Sequence, residues 1–278
     1  MAYLRCLTYC QERSVGLASA ARQSAESAAA SGQWEICVDH ASKALEVGPN
    51  SLELRELRLR CVTALGNIVA IYGDLSRLST LNPSNLILPI QLSQIAYFLI
   101  GSESALNHIK TCLHYDPDSK PCKKVHKTLR ALQKDTTKAR TAVESSQWRQ
   151  AVKVLDGPDG LLARFESAYD DAMGPDGYLV ERIPAQSKTT SQARLDLYSL
   201  AIKAATGAND FGKRTAKWSE LVLAMDEDNV DALVATGERL LKDESWDEAV
   251  RTLSRAFELT NQSSQDVCLS LFAHVNCS

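Results

Sequence analysis

Aromatic residues are scarce in this chain: only 6% of its 278 positions are Phe, Trp or Tyr, and 13 glycines and 8 prolines are few for that length. Sheet-rich domains need β-branched and aromatic runs closed by Gly and Pro turns, so a sheet is not expected. No stretch reaches the ~18 consecutive apolar residues of a membrane helix, and a membrane is not an expected partner. Basic excess is missing as well, since 31 Lys and Arg face 34 Asp and Glu for a net charge of −3. Without a basic field, or Lys/Arg runs interleaved with aromatics, nucleic acid is not an expected partner either. The five histidines, His40, His108, His114, His126 and His274, are scattered, and none stands at a metal-ligand spacing such as His-Glu-x-x-His. No catalytic residue, metal ligand or cofactor is assigned, and an enzyme is not expected.

What the chain does have is a repeat. From Gln33 to Asn50, Trp34, Cys37, Ala41, Ala44 and Leu45 mark one apolar helix face, and Pro49 supplies a sharp stop. Pro49, Pro83 and Pro117 stand 34 residues apart each time, the period of the tetratricopeptide (TPR) helix-turn-helix unit. Ile68, Ile71, Leu75 and Leu78 precede Pro83 at the offsets that Trp34, Cys37, Ala41 and Ala44 keep before Pro49, and Ala105, Ile109 and Cys112 do so before Pro117. The expected fold is all-α, a TPR solenoid coiled as a right-handed superhelix.

The expected organisation starts with a leader over 1–17, an Ala-rich first helix from Val15 to Ser31, and three TPR units over 18–119. Ser51 is placed to cap one leading helix, and Pro89 fits the first turn of another. A long helix from Pro121 to Ser145, an irregular unit marked by Gln147-Trp148 and a loop occupy 120–190. Two Gly-Pro-Asp-Gly tetrads, Gly157 to Gly160 and Gly174 to Gly177, bracket a short helix there. Two further units fill 191–263, with Glu227 in the proline position. In the last of them Gly237 lets the leading helix approach its partner, whose face carries Trp246, Ala249, Leu253 and Ala256. Trp34, Trp148 and Trp246 are expected to be largely buried between the helices of their own units. Residues 264–278 form an apolar tail placed to cap the array.

Four stretches carry a more specific likeness: Leu54-Arg55-Glu56-Leu57-Arg58, the run from Cys112 through Asp116-Pro117-Asp118 to Cys122, the Gln147-Trp148 helix, and Met225-Asp226-Glu227-Asp228-Asn229-Val230-Asp231-Ala232-Leu233. Over about residues 18–262 the chain resembles the TPR region of the endoplasmic-reticulum DnaJ/TPR co-chaperones, the interferon-induced protein kinase inhibitor family. The resemblance implies a module that binds unfolded or misfolded client polypeptides in the endoplasmic-reticulum lumen. In that family a J domain passes clients to the luminal ATP-dependent heat-shock chaperone. The His-Pro-Asp triplet by which a J domain acts occurs nowhere in these 278 residues, and the signal peptide and leading repeats of the family are not seen. The expectation is therefore a truncated or excised piece of such a protein.

Cys112 and Cys122 flank the Pro117 turn on successive helices, so their side chains could meet. Two buried thiols are the alternative, and the resemblance to a luminal family favours a disulfide. Cys6, Cys10, Cys37, Cys61, Cys268 and Cys277 have no comparable spacing argument. Asn261-Gln262-Ser263 and Asn276-Cys277-Ser278 are glycosylation sequons. A carboxylate clamp for a chaperone's C-terminal tail needs Lys and Asn four residues apart on a leading helix. The equivalent pairs, Arg22 and Glu26, Ile90 and Gln94, Leu200 and Ala204, and Val234 and Glu238, do not qualify. A protein-protein scaffold without chaperone activity, including kinase-inhibitor-type binding, is the alternative function.

Overall fold

The computed structural model describes residues 2–184, 187 and 191–261. Among the described residues the chain is all-α, of the helical-repeat solenoid class, with no strand. In order, α1 spans Ala2–Ala30, α2 Trp34–Val47, α3 Leu52–Leu65, α4 Ile68–Leu81 and α5 Ile87–Gln94, which continues into a π-helical turn at Ile95–Ile100. Then come α6 Ala105–Tyr115, α7 Lys120–Glu144, α8 Trp148–Leu155, α9 Leu161–Met173, α10 Gln192–Gly207, α11 Lys213–Met225, α12 Val230–Lys242 and α13 Trp246–Asn261. Contacts divide the chain into two compact units, Met1–Leu129 with Asp170–Thr190, and Arg130–Tyr169 with Ser191–Ser278. The first helix begins at Ala2 rather than Val15, because no proline and no glycine before Gly16 interrupts it. The tail 264–278 and the second sequon lie outside the described residues.

The repeat is visible as a buried stripe. Counting from Trp34, positions three, seven and ten residues on are Cys37, Ala41 and Ala44, all fully buried. The same offsets give Ile71, Leu75 and Leu78 in α4, Ala105, Ile109 and Cys112 in α6, and Ala249, Leu253 and Ala256 in α13, all buried. In α11 they give Thr215, Ser219 and Val222, which are buried too. Thr215 Oγ1 donates to the Asp210 carbonyl at 2.8 Å and Ser219 Oγ to that of Thr215 at 3.1 Å, so both hydroxyls are satisfied by backbone. In the shorter α8, Ala151 and Leu155 follow the rule before the tetrad at Gly157 ends the helix. Pro49, Pro83 and Pro117 each lie two residues beyond the end of the second helix of a unit.

Within a unit the turn between helices has one recurring form. The N–H of Gln33 donates to the carbonyl of Ala28, five residues back, at 2.9 Å, and Asn67 to Val62, Gln147 to Ala142, Asp210 to Ala205 and Ser245 to Leu240 do the same at 2.7–3.2 Å. Each bond straddles a residue of positive φ: Gly32 (72°), Gly66 (71°), Ser146 (57°), Asn209 (57°) and Glu244 (58°). This is the left-handed C-terminal cap, which satisfies helix-end carbonyls while reversing the chain. After the π-helical turn the corresponding bond reaches one residue further, from Ser102 to Ala96 at 2.8 Å, around Gly101. Starts are capped as well: Ser51, Asn67, Ser191 and Asn229 each accept the backbone N–H three residues on.

One tryptophan departs from expectation. Trp34 and Trp148 are mostly covered, whereas Trp246 is 60% exposed. They head their helices, and at about 100° per residue the first position lies roughly 50° from the centre of the buried stripe. Trp34 therefore flanks the cluster of Ala25, Ala28, Cys37, Ala41, Leu57 and Cys61 rather than entering it. Trp148 lies across Gly207, where any β-carbon would strike its indole. Trp246 stands one turn ahead of the residues that α12 covers.

Gly237 meets the stripe from the facing helix, and a β-carbon there would lie 2.5 Å from both Cγ and Cδ2 of Leu253. Two substitutions should consequently move thermal stability in opposite directions. Gly237→Ala overpacks the α12–α13 contact and is expected to lower stability by about 1–3 kcal/mol. Glu244→Gly relieves a left-handed residue and should raise it by about 1 kcal/mol. Denaturant titration of both variants against the parent checks the pair of signs.

Candidate functional site

Binding surfaces of helical repeats are built on their leading helices, and in the first compact unit the leading helix α5 is unlike the others. Leu88 through Gln94 are all buried, as are Ile95, Ala96, Phe98 and Leu99 beyond them. Its polar Gln91, Ser93 and Gln94 are buried along with its apolar residues, so the helix is covered on every side. Helices α4 and α6 cover part of it. Further cover comes from the irregular stretch after α9. There Gly174 opens a tight turn closed by the Gly177 N–H on the Gly174 carbonyl at 2.9 Å. The carbonyl of Tyr178 then accepts Gln91 Nε2 at 2.9 Å, and the Tyr178 side chain packs against the cluster of Ile90, Ile109, Cys112 and Cys122. Leu179 and Ile183, joined by one helical turn (Ile183 N–H to Leu179 carbonyl, 3.0 Å), are buried. Ser187 Oγ donates to the Gly66 carbonyl at 3.2 Å and ends the path at the α3–α4 turn.

The helices under this stretch are tied in two ways. Asp74, 1% exposed, is held by Arg55 (Nη1 to Oδ1, 2.9 Å) and Arg58 (Nε to Oδ2, 3.2 Å), and Arg55 Nη2 also donates to the Pro49 carbonyl at 3.3 Å. A buried carboxylate is tolerated only when its charge is matched in this way. Disulfides are the other tie. Cys112 and Cys122 are joined, with Cα atoms 6.2 Å apart, and so are Cys37 and Cys61, at 6.1 Å. Each bridge links the second helix of one unit to the leading helix of the next, α6 to α7 and α2 to α3. Spacing gave no reason to pair Cys37 with Cys61, because 24 residues separate them where only 10 separate Cys112 from Cys122. The signal available was that Cys37 occupies a stripe position, facing a neighbouring helix.

One titratable group in the first unit is shifted in a way that matters near neutrality. His108 on α6 has Nε2 2.6 Å from Tyr72 Oη on α4, with Ser104 Oγ 3.4 Å from the same phenol. Burial holds the imidazole below its ordinary value near 6.5. In the second unit, Arg194 grips Glu166 through Nε at 3.0 Å and stacks over Tyr169, and burial beside Glu166 pushes the Tyr198 phenol up. Asp135 is held below the usual carboxylate range by Lys138 and Arg164. Among the described residues no group of three or more His, Cys, Asp or Glu could hold a metal, and no helix is long and apolar enough to cross a membrane.

The paired-helix repeat has counterparts among known proteins. The chain is 55% identical over 250 residues to the tetratricopeptide repeat and J domain-containing co-chaperone DNJ1 of Cryptococcus neoformans, a match spanning 89% of this chain and 48% of that protein. The DNJ1 of Mycosarcoma maydis is 34% identical over 249 residues, 83% of this chain and 42% of the relative. The chain is homologous to the TPR region of the J-domain co-chaperones. Human DnaJ homolog subfamily C member 3 is a more distant member, 26% identical over 88% of this chain and 44% of its own. Among solved structures, the P58(IPK) TPR domain superposes with a TM-score of 0.61 at 22% identity, over 90% of this chain and 61% of that one, a likeness of fold. No protein-family model matches. The chain thus spans about half the length of the co-chaperones it matches.

Each disulfide should contribute about 3 kcal/mol on the loop-entropy model. Cys37→Ala/Cys61→Ala and Cys112→Ala/Cys122→Ala are therefore expected to lose comparable stability in denaturant, and peptide mapping without reductant should recover both cross-linked peptides. His108 makes a second prediction. Its folded-state value lies below the unfolded one, so on acidification the unfolded chain takes the proton first. Stability is fully present above about pH 6.5 and is lost as pH falls from there to the folded value. The melting temperature should drop between pH 7.5 and 5.5, and His108→Gln should flatten that slope.

Proposed function

We propose that the chain is a non-catalytic, chaperone-type binding module that holds unfolded or misfolded polypeptides in the protein-folding pathway of the endoplasmic reticulum. The observation that carries this reading is the 55% identity, sustained over 250 residues, to a protein named as a TPR and J domain-containing co-chaperone. Two disulfides suit an oxidising compartment, where such bonds persist, and support the luminal location. Chemistry in the first unit supports a polypeptide as ligand, since α5 already buries apolar side chains and a backbone carbonyl of an irregular segment against itself. Clients reach the luminal ATP-dependent heat-shock chaperone through a J domain of the kind the relatives' names specify.

Affinity for any one client is weak and poorly selective, because ordering a flexible chain offsets much of the contact energy. In an aggregation assay with a reduced, denatured model protein, the folded chain should slow light scattering in proportion to its concentration. Lacking His-Pro-Asp, these 278 residues alone should not accelerate ATP turnover by the luminal chaperone. A chain that is folded and soluble, yet neither slows aggregation nor retains denatured client in a pull-down, would replace this reading with that of a scaffold.

A further inference from the structure

The segment from Gly174 to Pro184 sits on α5 in the manner of a bound peptide. Its Tyr178 packs against the cluster that holds Ile90 and offers its backbone carbonyl to the amide nitrogen of Gln91, and its Leu179 and Ile183, one helical turn apart, are both buried. Yet the fit is incomplete on the helix side. Gln91 Oε1 and Gln94 Oε1 are buried without a hydrogen-bond partner among the described residues. A glutamine amide that faces a polypeptide backbone can donate to a carbonyl and accept from an N–H at once. The resident segment uses only the donor, and a buried acceptor left unmade costs about 1–3 kcal/mol. Covalent continuity, by contrast, gives the segment a high effective concentration whatever its contacts.

Resting on the chaperone reading above, we propose that α5 is a polypeptide-binding surface whose resident ligand is the segment 174–184. A client segment that places two apolar side chains one helical turn apart, as Leu179 and Ile183 are, displaces it and satisfies Gln91 at both ends. Client affinity is then reduced by the fraction of molecules in which the segment is in place.

The structure supplies a way to hold the segment down. A β-carbon on Gly66 would lie 3.7 Å from Ser187 Cβ, within the Cβ spacing of a disulfide. Gly66→Cys with Ser187→Cys tethers the stretch, even though a side chain at φ +71° is strained. Leu179→Ser with Ile183→Ser loosens it. The probe is a fluorescent synthetic peptide with the sequence of residues 174–184, scored by anisotropy beside retention of a reduced, denatured model protein. Peptide mapping confirms the tether, and circular dichroism confirms that each variant is folded. Loosening should tighten peptide binding roughly tenfold or more, since it removes the competitor. Tethering should abolish it, and Gln91→Ala in the loosened chain should weaken it again. Peptide binding that is absent throughout, or indifferent to both tether and loosening, overturns the proposal. If denatured protein is still retained in that case, the chaperone reading stands and its surface lies elsewhere; if nothing binds, both fall. Should the loosened variant fail to fold, the tether alone decides, because a tethered chain that binds the peptide like the parent is incompatible with exchange.

Discussion

Every unit depends on two helices approaching closely enough to bury a stripe only three residues long. That distance is governed by what stands in the stripe: Ala41 and Ala44 in α2, Ala249 and Ala256 in α13, and Gly237 across from Leu253. Small residues bring the helix axes together, and the left-handed turn before each second helix sets the angle at which they meet. The closing bond, five residues back, is made whether the left-handed position holds Gly32 or Glu244. Geometry therefore outranks residue preference at this point. A side chain is tolerated there because the hydrogen bond and the stripe together outweigh the local strain of roughly 1–2 kcal/mol.

The same constraint explains what could be read in advance. Positions on the stripe are legible because burial forces them apolar at helical spacing, and the proline period is legible because Pro49, Pro83 and Pro117 end a helix wherever they stand. Trp246 was not legible, because its size suggests a core, whereas its place at a helix start sets it at the rim of the stripe. Cys37 with Cys61 was not legible, since pairing across units depends on rotation about both helix axes. Nor was the π-helical turn at Ile95–Ile100, whose composition, Ile-Ala-Tyr-Phe-Leu-Ile, suits an ordinary buried helix equally well. The residues that hold α5, Gln91 and Tyr178, stand 87 positions apart, beyond any local pattern.

Covering α5 with an irregular stretch has a cost that two-helix units avoid. Backbone groups outside helices must find partners when they are buried, and here they find isolated turn bonds, such as Ile183 to Leu179, and side chains, Gln91 for Tyr178 and Ser187 for the Gly66 carbonyl. Such partners are weaker organisers than a helix, because each fixes one group rather than a ladder. The ties beneath are correspondingly strong. Asp74 with its two arginines spans α3 and α4, and the two disulfides join α2 to α3 and α6 to α7.

A surface for unfolded chains must expose apolar groups without collapsing or aggregating through them. One solution is to make the surface from a helix that is buried all round and to keep it occupied by a segment of modest affinity. Whether such a segment is exchangeable depends on what else would move with it. In the first unit the helices below are cross-linked by Cys37–Cys61 and Cys112–Cys122 and pinned by Asp74. On the exchange proposed above, departure of residues 174–184 would leave α4 and α6, the helices packed on α5, still tied to their neighbours, and much of the entropy of ordering would fall on the client.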